Sequence, residues 1–102
     1  IPWMAPELFD GNKGTKKCDI YGFAMMLWEI ATRERPYKNF MTPILIIMYV
    51  KSGKRETIPN KCPKSYAELI SKCWEQRAGD RPNIEQSLKD LENNKQAIMQ
   101  FK

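Results

Sequence analysis

The side chains able to do covalent or acid–base chemistry are few in this chain, and their spacing excludes more than it offers. Histidine is absent, which removes imidazole general bases, Ser-His and Cys-His nucleophile pairs, and zinc sites built on imidazole. The three cysteines, Cys18, Cys62 and Cys73, are odd in number, lie far apart and form no Cys-x-x-Cys pair. Neither a disulfide framework nor a tetrahedral thiolate site fits that pattern, so reduced thiols in a cytoplasmic setting are the expectation. No Gly-x-Gly-x-x-Gly loop is present to cradle phosphates. What remains are carboxylates, amines and guanidinium groups, whose chemistry depends on the elements that bring them together.

Those elements must fit into 102 residues, enough for one compact domain and too few for two with separate cores. With 42 % hydrophobic and 28 % charged residues, disordered and low-complexity classes fit poorly. The net charge of +5 raises the question of nucleic acid. Its sources are dispersed, however: Lys13, Lys16 and Lys17, then Arg33 and Arg35, then Lys51, Lys54 and Arg55 fall at element boundaries among Asp and Glu. That pattern describes a solvated, mildly basic surface, with no nucleic-acid face and no membrane segment. Ile1-Pro2-Trp3 has neither the basic n-region nor the apolar stretch of a signal peptide and no initiator Met, so the chain is expected to start within something longer or after processing.

The longest apolar run, Ile20 to Ala31, is interrupted only by Gly22 and Glu29. It is too short and too charged to span a bilayer. Apolar on nearly every side, it reads as the central helix of an α-helical core, capped by Thr15 or Asp19 and ended by Thr32 to Pro36. The other helices are too few to cover it, so part of its face should stay exposed. Ile44 to Val50 is β-branched enough for a strand. Thr42 as N-cap, Pro43 at the first helical position and Gly53 after Lys51 favour a helix instead. Tyr66, Leu69, Ile70, Cys73 and Trp74 follow helical spacing behind Pro63. Pro82 is expected to open a fourth helix with Ile84, Leu88 and Leu91 inward. Residues 93–102 read as a tail.

Four fragments in order resemble the C-terminal lobe of a eukaryotic protein kinase. They are Trp3-Met4-Ala5-Pro6-Glu7; Asp19-Ile20-Tyr21-Gly22-Phe23-Ala24 running into Leu27-Trp28-Glu29-Ile30; Arg35-Pro36-Tyr37; and Cys73-Trp74 followed by Arg81-Pro82. The resemblance spans Trp3 to about Leu91. It implies a mainly α fold, the helical second half of a kinase C-lobe with four helices around one buried central helix, and a partial kinase domain over 1–92. By the same resemblance Glu7 and Arg81 form a structural ion pair, for which carboxylate and guanidinium forks are suited. Asp19 resembles the residue that anchors the catalytic loop, and Ile1, Pro2 and Trp3 resemble the end of a substrate pocket. The helix from Pro43 resembles a docking helix, most of whose apolar residues are expected to be ordinary core. Trp28 and Trp74 are assigned to packing; for Trp3 a core role and a pocket role are both open.

The family usually has Ser at Gly22, Gly at Ala24 and Pro at Ala78, so helix packing and loop rigidity are affected more than phosphoryl transfer. Trp3-Met4 and Cys73-Trp74 resemble tyrosine kinases and the tyrosine-kinase-like Ser/Thr kinases, and Pro2 tilts toward Ser/Thr. The parts that perform phosphoryl transfer are the Gly-rich loop, the Lys–Glu pair, the catalytic Asp and Asn, and the Mg²⁺-holding Asp. None is matched here, and Phe9-Asp10-Gly11 is not Asp-Phe-Gly. No catalytic, cofactor-binding or metal residue is therefore assigned. In the family these parts lie upstream of Ala-Pro-Glu. The expectation is a piece of a protein kinase, inactive alone, supplying substrate-pocket, docking and scaffold elements to a parent that uses ATP and Mg²⁺. Its partners are a protein substrate and the remainder of the domain. Two other readings stay open, a pseudokinase acting as a signalling or interaction module and an independent helical interaction domain.

Overall fold

A computed structural model of the chain describes residues 1–93. It is all-helical over that range: α1 (Lys16–Thr32), α2 (Pro43–Lys51), α3 (Lys64–Cys73) and α4 (Ile84–Asn93), with short 3-10 turns at Pro6–Asp10 and Ala78–Asp80. Of the expected tail, Asn93 is the last residue of α4 and 94–102 lie outside the described residues.

The apolar run becomes α1, one turn longer at its start than the run itself. Thr15 sits at the N-cap in an extended conformation, but its hydroxyl meets the Cys18 thiol at 3.6 Å and caps no backbone amide. Asp19 lies inside the first turn. At the other end Arg33 takes a left-handed conformation, φ 58°, and its N–H closes on the Glu29 carbonyl at 2.7 Å. Cys18, Ile20, Tyr21, Ala24, Met25, Leu27, Trp28 and Ala31 are buried. Lys16, Asp19, Met26 and Ile30 form the exception, an exposed strip along one side.

The β-branched run is a helix, α2, starting at Pro43 after Thr42. On α3 the residues Tyr66, Leu69, Ile70 and Cys73 are all buried, with Trp74 closing the helix, as the spacing requires. Helix α4 differs from expectation. Ile84 and Leu88 are about half exposed, and Ser87 is fully buried. Asn83 sets the start, since its Oδ1 accepts the Gln86 N–H at 2.8 Å. The inward face is turned by one residue from the expected one, to Ser87 with Leu91 beside it. The Ser87 hydroxyl is satisfied internally by donating to Asn83 O at 2.9 Å, and it stands 3.7 Å from the Cys73 sulfur. A small residue at that point lets α4 approach α3 closely.

The whole is a slab of 38 × 29 × 15 Å. Its core lies between α1 and α3, extended by Ala5, Tyr37, Ile46, Val50 and Cys62.

Candidate functional site

Ala5 and Pro6 are buried and start the turn Pro6–Asp10 on the surface of the core. Glu7 projects from this turn to meet Arg81, which follows the turn Ala78–Asp80. Nη1 donates to Glu7 Oε2 at 2.8 Å and Nη2 to Glu7 Oε1 at 2.9 Å, a bidentate pair. The Arg81 side chain is 0 % exposed and that of Glu7 21 %. The remaining guanidinium donors go to backbone carbonyls: Nε to Glu75 O at 2.8 Å, Nη1 to Lys17 O at 3.0 Å and Nη2 to Gln76 O at 3.3 Å. All five N–H groups of this buried cation are thus used. The Cys18 thiol also donates to Glu7 Oε2 at 3.2 Å. Hydrogen bonds from Arg81 are the main reason the Glu7 carboxyl is held down at about 2.

Ile1 to Met4 form a turn closed by Met4 N–H to Ile1 O at 3.1 Å. Trp3 is 46 % exposed and is not a core aromatic. Its indole N–H donates to the Glu29 carboxylate on α1. Its carbonyl passes close over Gly22, where a Cβ would stand 3.5 Å from Trp3 O. That is ordinary contact distance, so a Cβ at this position meets no clash. Ile1 is exposed and Pro2 half-buried. Asp19 is exposed at the start of α1 and its side chain bonds to no other described residue. The structure therefore brings Glu7 to Arg81 and Trp3 to α1, and leaves Asp19 facing solvent.

The expectation that most of α2 is core is corrected. Ile44, Leu45 and Met48 recur at helical spacing and face solvent, Met48 at 64 % exposure, and Met41, just before the helix, is 91 % exposed. Ile46 and Val50 are the buried residues of this helix. Because the sequence is apolar all round, it carried no signal for which side would face in.

Arg55 was readable only as part of a polar connector. Its guanidinium in fact reaches the carbonyls of Val50 at 3.1 Å, Lys54 at 2.8 Å and Trp74 at 3.0 Å, and the Gln76 side-chain oxygen at 2.8 Å. Lys51 on α2 pairs with Asp10 at 2.6 Å. Single charges in loops give no sequence signal for such partners.

Among the described residues no group of three or more Cys, Asp or Glu side chains converges to hold a metal ion. No helix among the described residues is long and apolar enough to cross a membrane, and Cys18, Cys62 and Cys73 are unpaired and buried. The family model for protein tyrosine and serine/threonine kinases matches residues 1–91. The chain belongs to this kinase family. It is 39 % identical over 83 residues to mitogen-activated protein kinase kinase kinase 7 of Drosophila melanogaster, covering 81 % of this chain and 12 % of that protein. To the human protein of the same name it is 35 % identical over 88 residues, covering 85 % and 14 %. It is 42 % identical over 84 residues to a Dictyostelium discoideum protein described as a probable LIM domain-containing serine/threonine-protein kinase, covering 82 % and 9 %. The chain thus spans between 9 and 14 % of the length of these kinases.

Proposed function

We propose that this chain is the substrate-side, helical part of a kinase domain that transfers the γ-phosphate of ATP to protein Ser/Thr hydroxyls in a cytoplasmic setting, and that it is inactive by itself. The observation that carries the reading is the Glu7–Arg81 pair. Residues 74 apart have no local reason to meet, yet they do so with bidentate geometry in a buried site. Family membership over residues 1–91 supports the assignment of the matching positions, and relatives named as serine/threonine kinases support the hydroxyl class.

In this reading the partial kinase domain runs over 1–92. The pair fixes the turn Pro6–Asp10, and that turn presents Ile1, Pro2 and Trp3 to a protein substrate. The indole bond to Glu29 holds Trp3 against α1. Asp19, exposed with no partner among the described residues, is free to accept backbone N–H groups from a catalytic loop. The apolar stripe of α2 offers a docking surface for protein partners. ATP and Mg²⁺ are held by other parts of the longer protein.

Steady-state phosphorylation of casein tests this. In the full-length protein, Trp3→Ala should raise the KM for casein several-fold and leave the KM for ATP unchanged. The chain alone should show no turnover with Mg²⁺–ATP. Activity of the isolated chain that survives removal of contaminating kinases would overturn the inactive-alone reading. A full-length protein with no phosphotransfer at all would favour a pseudokinase.

A further inference from the structure

Two guanidinium groups lie over the ring of Tyr21, Arg55 at 5.1 Å and Arg81 at 5.2 Å from its centroid. Arg81 has a carboxylate partner. Arg55 has only neutral acceptors among the described residues, and two of them, Val50 O and Trp74 O, lie at the C-terminal ends of α2 and α3. Carbonyls at helix ends carry partial negative charge, and Val50 O does so while also accepting the Gly53 N–H at 3.0 Å, so one cation there serves two helices.

Gln76 joins the two cations. Its side-chain oxygen accepts from Arg55 at 2.8 Å and its backbone oxygen from Arg81 at 3.3 Å, while its Nε2 donates to Lys51 O at 3.4 Å. Lys51 in turn pairs with Asp10, the last residue of the turn that carries Glu7. The links close a circuit: Glu7, Arg81, Gln76, Lys51, Asp10 and back along Pro6–Asp10, with Arg55 bracing both Gln76 and Tyr21. The exposed Lys51–Asp10 pair is weak alone. The fully buried Arg81 side chain and Tyr21 form the stiff part.

We infer that Arg55 and Gln76 are positioning residues that couple the C-terminal end of α2 to the turn Pro6–Asp10. Displacing α2, as a partner bound to its exposed stripe would do, loosens the turn, and loosening the turn releases the end of α2, since coupling is reciprocal. The coupling belongs to the fold and does not require the kinase reading.

Amide hydrogen exchange on the full-length protein tests it. The Gly11 and Asn12 amides, bonded to Leu8 O and Glu7 O, report the turn; the Ser52 and Gly53 amides, bonded to Met48 O and Val50 O, report the end of α2. Gln76→Ala removes the side chain and keeps the carbonyl that Arg81 uses. It should speed exchange at Gly11 and Asn12 about tenfold, with α1 unchanged. Arg55→Lys should do the same, because an ammonium cannot span the four acceptors of a guanidinium fork. Glu7→Gln should speed exchange at Ser52 and Gly53. Faster exchange confined to the ends of α2 and α3 in the Arg55 and Gln76 variants would show a local role and overturn the inference, and so would uniform acceleration throughout the chain. Because no activity is read, an inactive protein would count against the kinase reading and leave the coupling standing.

Discussion

The Tyr66 hydroxyl on α3 donates to the carbonyl of Leu27, in the C-terminal half of α1, at 2.6 Å. The ring is buried between the helices, so one residue supplies both packing and a polar tie. Tyr66→Phe keeps the ring and removes this bond, and should cost about 1 kcal/mol in denaturant unfolding of the full-length protein.

Alkaline pH should act on the same residue. Burial raises the Tyr66 phenol to about 12 from its usual 10.0. The folded state therefore holds the proton more tightly than the unfolded state. The stability this contributes is complete below about pH 10 and lost as pH rises from about 10 to about 12. Stability measured across that window should fall less steeply in Tyr66→Phe than in the parent.

Arg81→Ala leaves the Glu7 carboxylate without its cation, with the Cys18 thiol as its remaining side-chain donor, and takes the guanidinium donors from three backbone carbonyls. The expected loss is about 3 to 5 kcal/mol, against less than about 1 kcal/mol for an exposed pair. Arg81→Lys keeps the charge but supplies three donors where five are used, and should recover only part of the loss. Equilibrium unfolding of the full-length variants measures both.

Acid should weaken the same contact. The Glu7 pKa is about 2 when folded and near 4.5 when free. A depressed folded value means that the contribution is present above about pH 4.5 and is lost as pH falls toward about 2. Glu7→Gln should remove that part of the acid sensitivity, as read from unfolding midpoints between pH 5 and 2.

The two sides of α2 should respond differently to truncation. Ile44→Ser and Met48→Ser change exposed side chains and should stay within about 0.5 kcal/mol of the parent. Ile46→Ala opens a cavity and should cost about 2 to 4 kcal/mol. Equal losses at all three positions would mean that the stripe is covered in the full-length protein.

Helix existence was legible because apolar spacing and end residues agreed: Thr42-Pro43 at the start of α2, and the Tyr66-to-Trp74 face of α3. Which side of a helix faces inward was legible only where polar residues marked the other side. On α2 nearly every residue is apolar, and on α4 the buried position went to Ser87, whose hydroxyl is satisfied by its own helix. Local spacing could not distinguish Ser87 from a surface serine. The meeting of Glu7 and Arg81 was reached through ordered motifs, since charge alone pairs nothing across 74 residues. Arg55 and Gln76 act mainly on and through backbone atoms, which every sequence supplies alike, so their role depended on the fold being known.

The slab is thin along one axis, yet Tyr21, Ala24, Met25, Ile70 and Cys73 are wholly shielded from water inside it. The heat capacity of unfolding tracks the apolar surface newly wetted, and ordinary domains give about 12 to 15 cal/mol/K per residue. The chain by itself should fall in that range, so its stability should curve with temperature as that of an ordinary domain does, and a calorimetric value well below the range would mean that this core does not form in the isolated chain.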